Sequence, residues 1–152
     1  MELDSNDITS SLGFLTGKVH RSMREAMGRA LAKEGIDINT SYMPFFGCLM
    51  LHQGGPLNQS ELTEVMGMDR HRVSRMVKEL KDKNWIHTSP NPENRRENIV
   101  ALTEEGQALL PTIVRCGKRV REAATAGLTR VELDLLKNAL NKINNNLNNS
   151  EL

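Results

Sequence analysis

The chain has 152 residues, enough for one domain with a real core, and a formal net charge of only +1, which excludes a polycationic tail and makes any basic patch local. Aromatic residues are few while Leu, Met, Ala, Glu, Lys and Arg are common, a balance that favours helices and argues against an aromatic platform for single-stranded nucleic acid. Cys48 and Cys116 form no CxxC pair, no apolar run is long enough to span a bilayer, and no signal peptide is seen, so a reducing cytoplasm is the expected location.

From Asn6 to about Lys33, the residues Ile8, Leu12, Leu15, Val19, Met23, Met27 and Leu31 recur every three or four positions, which predicts a helix. Gly35 ends it. Thr40 or Ser41 then caps a second helix that carries Phe45, Leu49 and Leu51, tolerates Pro44 in its first turn, and stops at Gly54, Gly55 and Pro56. A short helix follows over about Gln59 to Met66, capped by Asn58, with Leu62, Val65 and Met66 expected to face inward. Gly67 breaks it and Asp69 caps the next helix, which runs to about Asp82. Two short amphipathic helices about a glycine turn predict a helix-turn-helix.

The period then changes. Trp85 to Thr88 and Asn98 to Leu102 read as strands, and the intervening SPNPENRRE has turn chemistry, giving a hairpin with a basic tip. Thr103 caps a long helix towards Ala126, with Glu104 and Glu105 at its positive end and a kink expected at Pro111. Gly127 ends it, and Thr129 caps a last helix with the heptad-like series Leu133, Leu136, Leu140, Ile143 and Leu147. The asparagine-rich tail around Asn144 to Asn149 is expected to fray.

On the helix starting near Arg70, Val73, Met76, Val77 and Leu80 share one stripe, and the remaining surface carries Arg70, His71, Arg72, Ser74, Arg75 and Lys78. Between Met68 and Lys83 there are six Lys and Arg against three Asp and Glu, a local excess in a nearly neutral chain. Arginine can pair its hydrogen bonds to a guanine edge or a phosphate, while a plain solvated helix face is the alternative. Arg95 and Arg96 sit in the hairpin turn of the same unit and can reach a narrow minor groove, although an ordinary charged hairpin would look the same.

With SELTEVMGM, VSRMVKEL and VALTEEG standing in this order within residues 57 to 106, the chain resembles the MarR family of bacterial winged helix-turn-helix transcription regulators over essentially its full length. The resemblance implies a mainly α fold: a winged helix-turn-helix with a two-stranded β-hairpin wing, and N- and C-terminal helices forming a dimerisation region. One domain of residues 1–152 would hold the winged part at about 40–103 and the dimerisation helices at about 6–34 and 104–148. It also implies a homodimer whose recognition helices enter major grooves and whose wing arginine, Arg96, enters the adjacent minor groove. Where the family commonly places an aspartate to orient that arginine, this chain has Asn94, an acceptor without charge. Two-fold-related recognition helices would read a palindromic operator, with the stripes Ile8 to Leu31 and Leu133 to Leu147 as the shared core; the alternative is that they pack within one subunit.

Family members often respond to a small aromatic or phenolic ligand, which points to a pocket near the first, second and fifth helices with His20, Arg24, Tyr42, Phe46 and Cys48 as candidate lining groups. The family's peroxide sensors carry a cysteine near the N-terminus, and this chain has none there. The function expected is therefore a sequence-specific repressor of double-stranded DNA modulated by a small ligand, with a winged-helix protein-interaction module as the alternative. An enzyme is not expected: no HExxH, GxSxG, Walker A or dinucleotide fingerprint occurs, and neither a catalytic residue, a metal ligand set nor a cofactor is assigned.

Overall fold

A computed structural model of the chain describes residues 10–51 and 56–150. In order they form α1 (Leu12–Lys33), a 3-10 turn (Thr40–Tyr42), α2 (Met43–Leu51), β1 (Leu57–Asn58), α3 (Gln59–Met66), α4 (Arg70–Asp82), β2 (Ile86–Pro90), β3 (Asn98–Leu102), α5 (Glu104–Ala124) and α6 (Arg130–Asn148). Asn6 and Ile8 at the expected start of the first helix, and Gly54 and Gly55 after the second, lie outside the described residues.

Side-chain caps set most helix starts. Asn58 accepts from the Glu61 N–H at 2.7 Å while the Glu61 carboxylate accepts from the Asn58 N–H at 3.0 Å, a reciprocal box that opens α3. Gly67 adopts a left-handed φ of 57°, which lets the chain reverse within three residues and present Asp69 as the cap of α4. Asn39 rather than Thr40 or Ser41 caps the second helical segment, whose first turn is 3-10.

The core is built around the helix-turn-helix. Phe45 and Phe46 meet edge to face at 5.4 Å, and Leu49, Leu62, Val73, Met76, Leu80, Ile86, Val100 and Leu102 close around them. Leu31 from α1 and Ile113 and Cys116 from α5 complete this cluster. Each such buried side chain contributes on the order of 1.5–3 kcal/mol of burial free energy, which fixes α4 against the sheet with its polar face outward.

The expected two-stranded wing hairpin is present as β2 and β3, and a third short strand joins it: β3 is central, with β1 and β2 antiparallel on either side. β1 is only two residues, pairing Leu57 with Val100 and Asn58 with Ile99. β2 starts one residue late because the Trp85 N–H donates to the Leu80 carbonyl in the turn that ends α4, where Asn84 has φ 57°. It then continues through Ser89 to Pro90, which pairs with Asn98, so the wing turn is shorter than expected.

The α4–wing–α5 junction is tight. The Thr103 hydroxyl donates to the Asn84 carbonyl at 2.6 Å, the Thr103 N–H donates to the Trp85 carbonyl, and α5 begins so close that a Cβ at Gly106 would overlap the Trp85 carbonyl oxygen. Glycine is required there for approach, not for φ.

Other expectations need correction. Val65 is 64% exposed because the eight-residue α3 turns only Leu62 and, in part, Met66 inward. Leu51 projects into solvent at the end of α2. The asparagine-rich segment is helical to Asn148. The apolar stripes are covered only in part among the described residues: Leu31 is in the core and Met27 packs against it, whereas α6 buries no residue and Leu12, Leu15, Val19 and Met23 on α1 and Leu136, Leu140 and Leu147 on α6 are exposed. Among the described residues, no helix is long and apolar enough to cross a membrane.

Candidate nucleic-acid interface and the cavity behind it

Asp69 starts the interface. Its carboxylate accepts from the Arg72 N–H at 2.9 Å, and that bond, helped by the His71 N–H, holds its pKa below the usual carboxylate range. With the first turn of α4 fixed this way and Val73, Met76, Val77 and Leu80 buried, Arg70, His71, Arg72, Ser74, Arg75 and Lys78 all stand in solvent. Arg70, Arg72, Arg75 and Lys78 make no ion pair with another described residue, so their charge is available to a partner.

The wing turn is made of backbone hydrogen bonds to asparagine. Asn91 Oδ1 accepts from the Glu93 N–H at 2.9 Å, and Asn94 Oδ1 accepts from the Arg96 N–H at 3.2 Å. Asn94 thus positions the backbone of Arg96 rather than its guanidinium, a task that needs an acceptor but no charge. Arg95 and Arg96 are both exposed at the tip. The neighbouring Glu97 accepts from the Ser60 hydroxyl at 3.0 Å, tying the wing to the start of α3.

These contacts bring helix and wing to one face. Arg70 and Arg96, 26 positions apart in sequence, line a single groove of about 150 Å³ together with Gln59, Ser60, Thr63 and Ser74. The contribution of α3, through Gln59, Ser60 and Thr63, escaped the sequence reading; the only signal was that these polar residues follow the Asn58 cap. Lys81 also crosses to the sheet, donating to the Thr88 hydroxyl at 3.2 Å, and Lys83 lies over the Trp85 ring at 5.3 Å.

Behind this face is a cavity of about 720 Å³, within the range of small-molecule sites. α1 contributes His20, Met23, Arg24 and Met27, the segment opening α2 contributes Thr40, Ser41, Met43 and Pro44, and the α3–α4 turn contributes Met66, Gly67 and Met68. Arg72 from α4 and Gly117 and Val120 from α5 close the lining. Of the five ligand candidates, His20 and Arg24 line it. Tyr42, Phe46 and Cys48 are instead buried in the core, because the short α2 is apolar on nearly all sides and these three face inward.

Tyr42 nevertheless links the segment beside the cavity to α4: its hydroxyl donates to the Glu79 carboxylate at 2.7 Å. Burial, and then this bond to an anion, raise its pKa above the ordinary tyrosine value. Burial also pushes the Cys48 thiol up, the opposite of the activation a reactive cysteine needs. No cluster of three or more His, Cys, Asp or Glu able to hold a metal exists among the described residues.

Known proteins share this fold. The MarR family model matches residues 45–98, the stretch that contains α3, α4, β2 and the wing turn. The HTH-type transcriptional repressor NicR of Pseudomonas putida is 30% identical over 129 residues, covering 83% of this chain and 77% of the repressor. Among solved structures, a cysteine-to-serine mutant of Escherichia coli MarR in complex with operator DNA superposes with a TM-score of 0.82 at 24% identity, over 93% of this chain and 99% of that one. Bordetella bronchiseptica BpsR, whose DNA binding is regulated by 6-hydroxynicotinic acid, superposes with a TM-score of 0.77 at 17% identity, over 95% of this chain and 98% of that one. A helix-turn-helix that fits the family model, a repressor related along most of both chains and a shared course of the whole fold lead to one conclusion: the chain belongs to the MarR family.

Proposed function

We propose that this protein is a dimeric transcription repressor that binds a palindromic operator in double-stranded DNA and is modulated by a small aromatic or phenolic ligand. The observation that carries the reading is the groove shared by Arg70 of α4 and Arg96 of the wing, which puts two basic elements on one face of the molecule. Arg70, His71, Arg72, Ser74, Arg75 and Lys78 are assigned to the major groove and adjoining phosphates, and Arg95 and Arg96 to the minor groove. The winged part, about residues 40–103, serves DNA, and the helices at about 6–34 and 104–148 serve the partner subunit. The exposure of Leu12, Leu15, Val19 and Met23 along α1 and of Leu136, Leu140 and Leu147 along α6 among the described residues supports that division.

The relatives agree in kind: NicR is a repressor, MarR has been solved on operator DNA and the DNA binding of BpsR responds to an aromatic acid. The cavity bordered by His20 and Arg24 is the assigned ligand site. A regulator of this type works without catalysis and in the cytoplasm, where bacterial DNA lies.

The test is a titration of wild-type protein and Arg75→Ala against the protein's own upstream DNA and a scrambled duplex, at two salt concentrations. Wild type should prefer the upstream duplex and bind more weakly in higher salt. Arg75→Ala should lose affinity for both duplexes and show a flatter salt dependence, by about one phosphate contact per subunit. Indifference of DNA binding to both Arg75→Ala and Arg96→Ala would favour a protein-interaction module.

A further inference from the structure

Arg75 and Glu79 stand four positions apart on α4, the spacing at which an arginine and a carboxylate face each other across one helical turn. They do not pair: among the described residues no ion pair includes Arg75. The half-buried carboxylate is turned to another element instead, where its Oε2 accepts from the Tyr42 hydroxyl at 2.7 Å across 37 positions of sequence. Tyr42 is 5% exposed, and its N–H donates to the Asn39 carbonyl in the 3-10 turn that Asn39 caps, so the phenol reaches α4 from a fixed backbone.

Two further observations single out Arg75 as the group this bond affects. Burial and then the Glu79 bond raise the Tyr42 pKa while the Arg75 cation opposes the rise, so phenol, carboxylate and guanidinium lie within electrostatic reach of one another. Lys83, the cation one turn beyond Glu79, is engaged over the Trp85 ring at 5.3 Å. Without its tyrosine, the Glu79 carboxylate would be half-buried and short of a donor, with the unengaged Arg75 one turn away. A carboxylate withdrawn from water is costly until a donor replaces that water, which drives such a pairing.

We infer that Tyr42 is a positioning residue for Arg75: by holding the Glu79 carboxylate it prevents an ion pair within α4 and leaves the guanidinium free for a DNA phosphate. This deepens the DNA-binding reading and rests on it. Glu79 and a phosphate compete for one guanidinium, and the tyrosine removes the competitor before DNA arrives. Being buried, Tyr42 touches no DNA itself.

The experiment measures affinity of the full chain for the upstream duplex by anisotropy at three salt concentrations, in wild type, Tyr42→Phe, Glu79→Gln, Arg75→Ala and their combinations. Tyr42→Phe keeps the ring in the core and deletes only the hydroxyl. It should weaken DNA binding about tenfold, about threefold for each subunit, with a salt dependence flatter by up to about one phosphate contact per subunit. In the Glu79→Gln background, which has no charge to pair with Arg75, and in the Arg75→Ala background, the same change should cost less than about twofold. Glu79→Gln alone should alter affinity less than about threefold and keep the wild-type salt slope, because Tyr42 already holds the carboxylate.

A tyrosine that merely braced α4 would matter equally in all three backgrounds, and that result would overturn the inference. So would wild-type affinity in Tyr42→Phe. Glu79→Gln gives a test that leaves Tyr42 in place: a salt dependence steeper than wild type by about one contact per subunit would show the pair with Arg75 already formed, against the inference. Failure of wild type to bind any duplex would instead defeat the DNA reading, and a melting double-mutant cycle would then decide the pairing by itself. Coupling between Arg75→Ala and Glu79→Gln should be absent in the wild-type background and appear with Tyr42→Phe; coupling of equal size in both would overturn the role given to Tyr42.

Discussion

Phe45, Phe46, Leu62, Met76 and Leu80 are enclosed within one chain, whereas Leu15, Val19, Leu136 and Leu140, also apolar, stand in solvent. The core packs α2, α3, α4 and the sheet around the phenylalanine pair, with Leu31 of α1 and Ile113 and Cys116 of α5 completing it. The terminal helices have regular apolar stripes and good caps, yet among the described residues much of those stripes is exposed. The contrast teaches that burial differs by region: these side chains of the winged part lie inside the core, while the outer faces of the terminal helices leave apolar side chains in solvent.

Charging the exposed stripe should separate the two parts most sharply. Leu136→Glu with Leu140→Glu places four carboxylates in each dimer interface, and sedimentation should show dimer dissociation strengthened by at least about a thousandfold, roughly 4 kcal/mol. The buried core of the winged part should keep its near-ultraviolet signature. Loss of that signature in the charged variant would show that the core depends on the covering of the outer faces of the terminal helices.

Gly106→Ala attacks the winged part instead. The added methyl must displace the Trp85 backbone, so a loss of about 2–3 kcal/mol in a denaturant titration is expected. A variant as stable as wild type would mean the junction is looser than its hydrogen bonds indicate.

The wing effect should be smaller. Arg96→Ala should cost about 1–2 kcal/mol of DNA affinity and reduce the preference for sites with a narrow A·T flank. Equal loss on every flank would contradict minor-groove insertion. Asn94→Ala should act in the same direction more weakly, because it removes the acceptor of the Arg96 N–H and leaves the guanidinium itself intact.

The smallest expected effect is on pH dependence. Asp69 and Glu132 have folded-state pKa values below their ordinary ones, Asp69 chiefly through the Arg72 N–H and Glu132 chiefly through the Thr129 N–H. A depressed carboxylate stabilises the fold above its ordinary pKa, and this contribution disappears as the pH falls through the lowered folded-state value. The melting temperature should therefore fall in acid, and Asp69→Asn, which keeps an acceptor but cannot titrate, should reduce that fall. Tyr42 works at the other end: its pKa is raised, so stability should decline as the pH rises above the ordinary tyrosine range.

Local chemistry was legible in the sequence. Asp69 as the cap of α4, its end at Asp82, the limits of β3 and the Thr103 cap all follow from rules that act within a few residues, and the structure has each. Long-range pairing was not legible. Leu57 and Asn58 become a strand only because Val100 and Ile99 lie beside them, and no two-residue pattern announces that.

The site divides along the same line. The exposed face of α4 could be read from the spacing of Val73, Met76, Val77 and Leu80, which leaves the basic residues outside. Tyr42, Phe46 and Cys48 could not be placed, because α2 has apolar residues around most of its circumference and no periodicity shows which point towards a cavity. Arg72 looked like one basic residue among several; its position at the cavity depends on how α1 and α5 lie against the α3–α4 turn.

The most direct test of this account is sedimentation of the full chain with a labelled upstream duplex and a labelled scrambled duplex at physiological salt. Two chains per upstream duplex, formed at lower protein concentration than on the scrambled one, is the predicted result. A single chain per duplex, or equal affinity for both sequences, would contradict a dimer that reads DNA through paired winged helices.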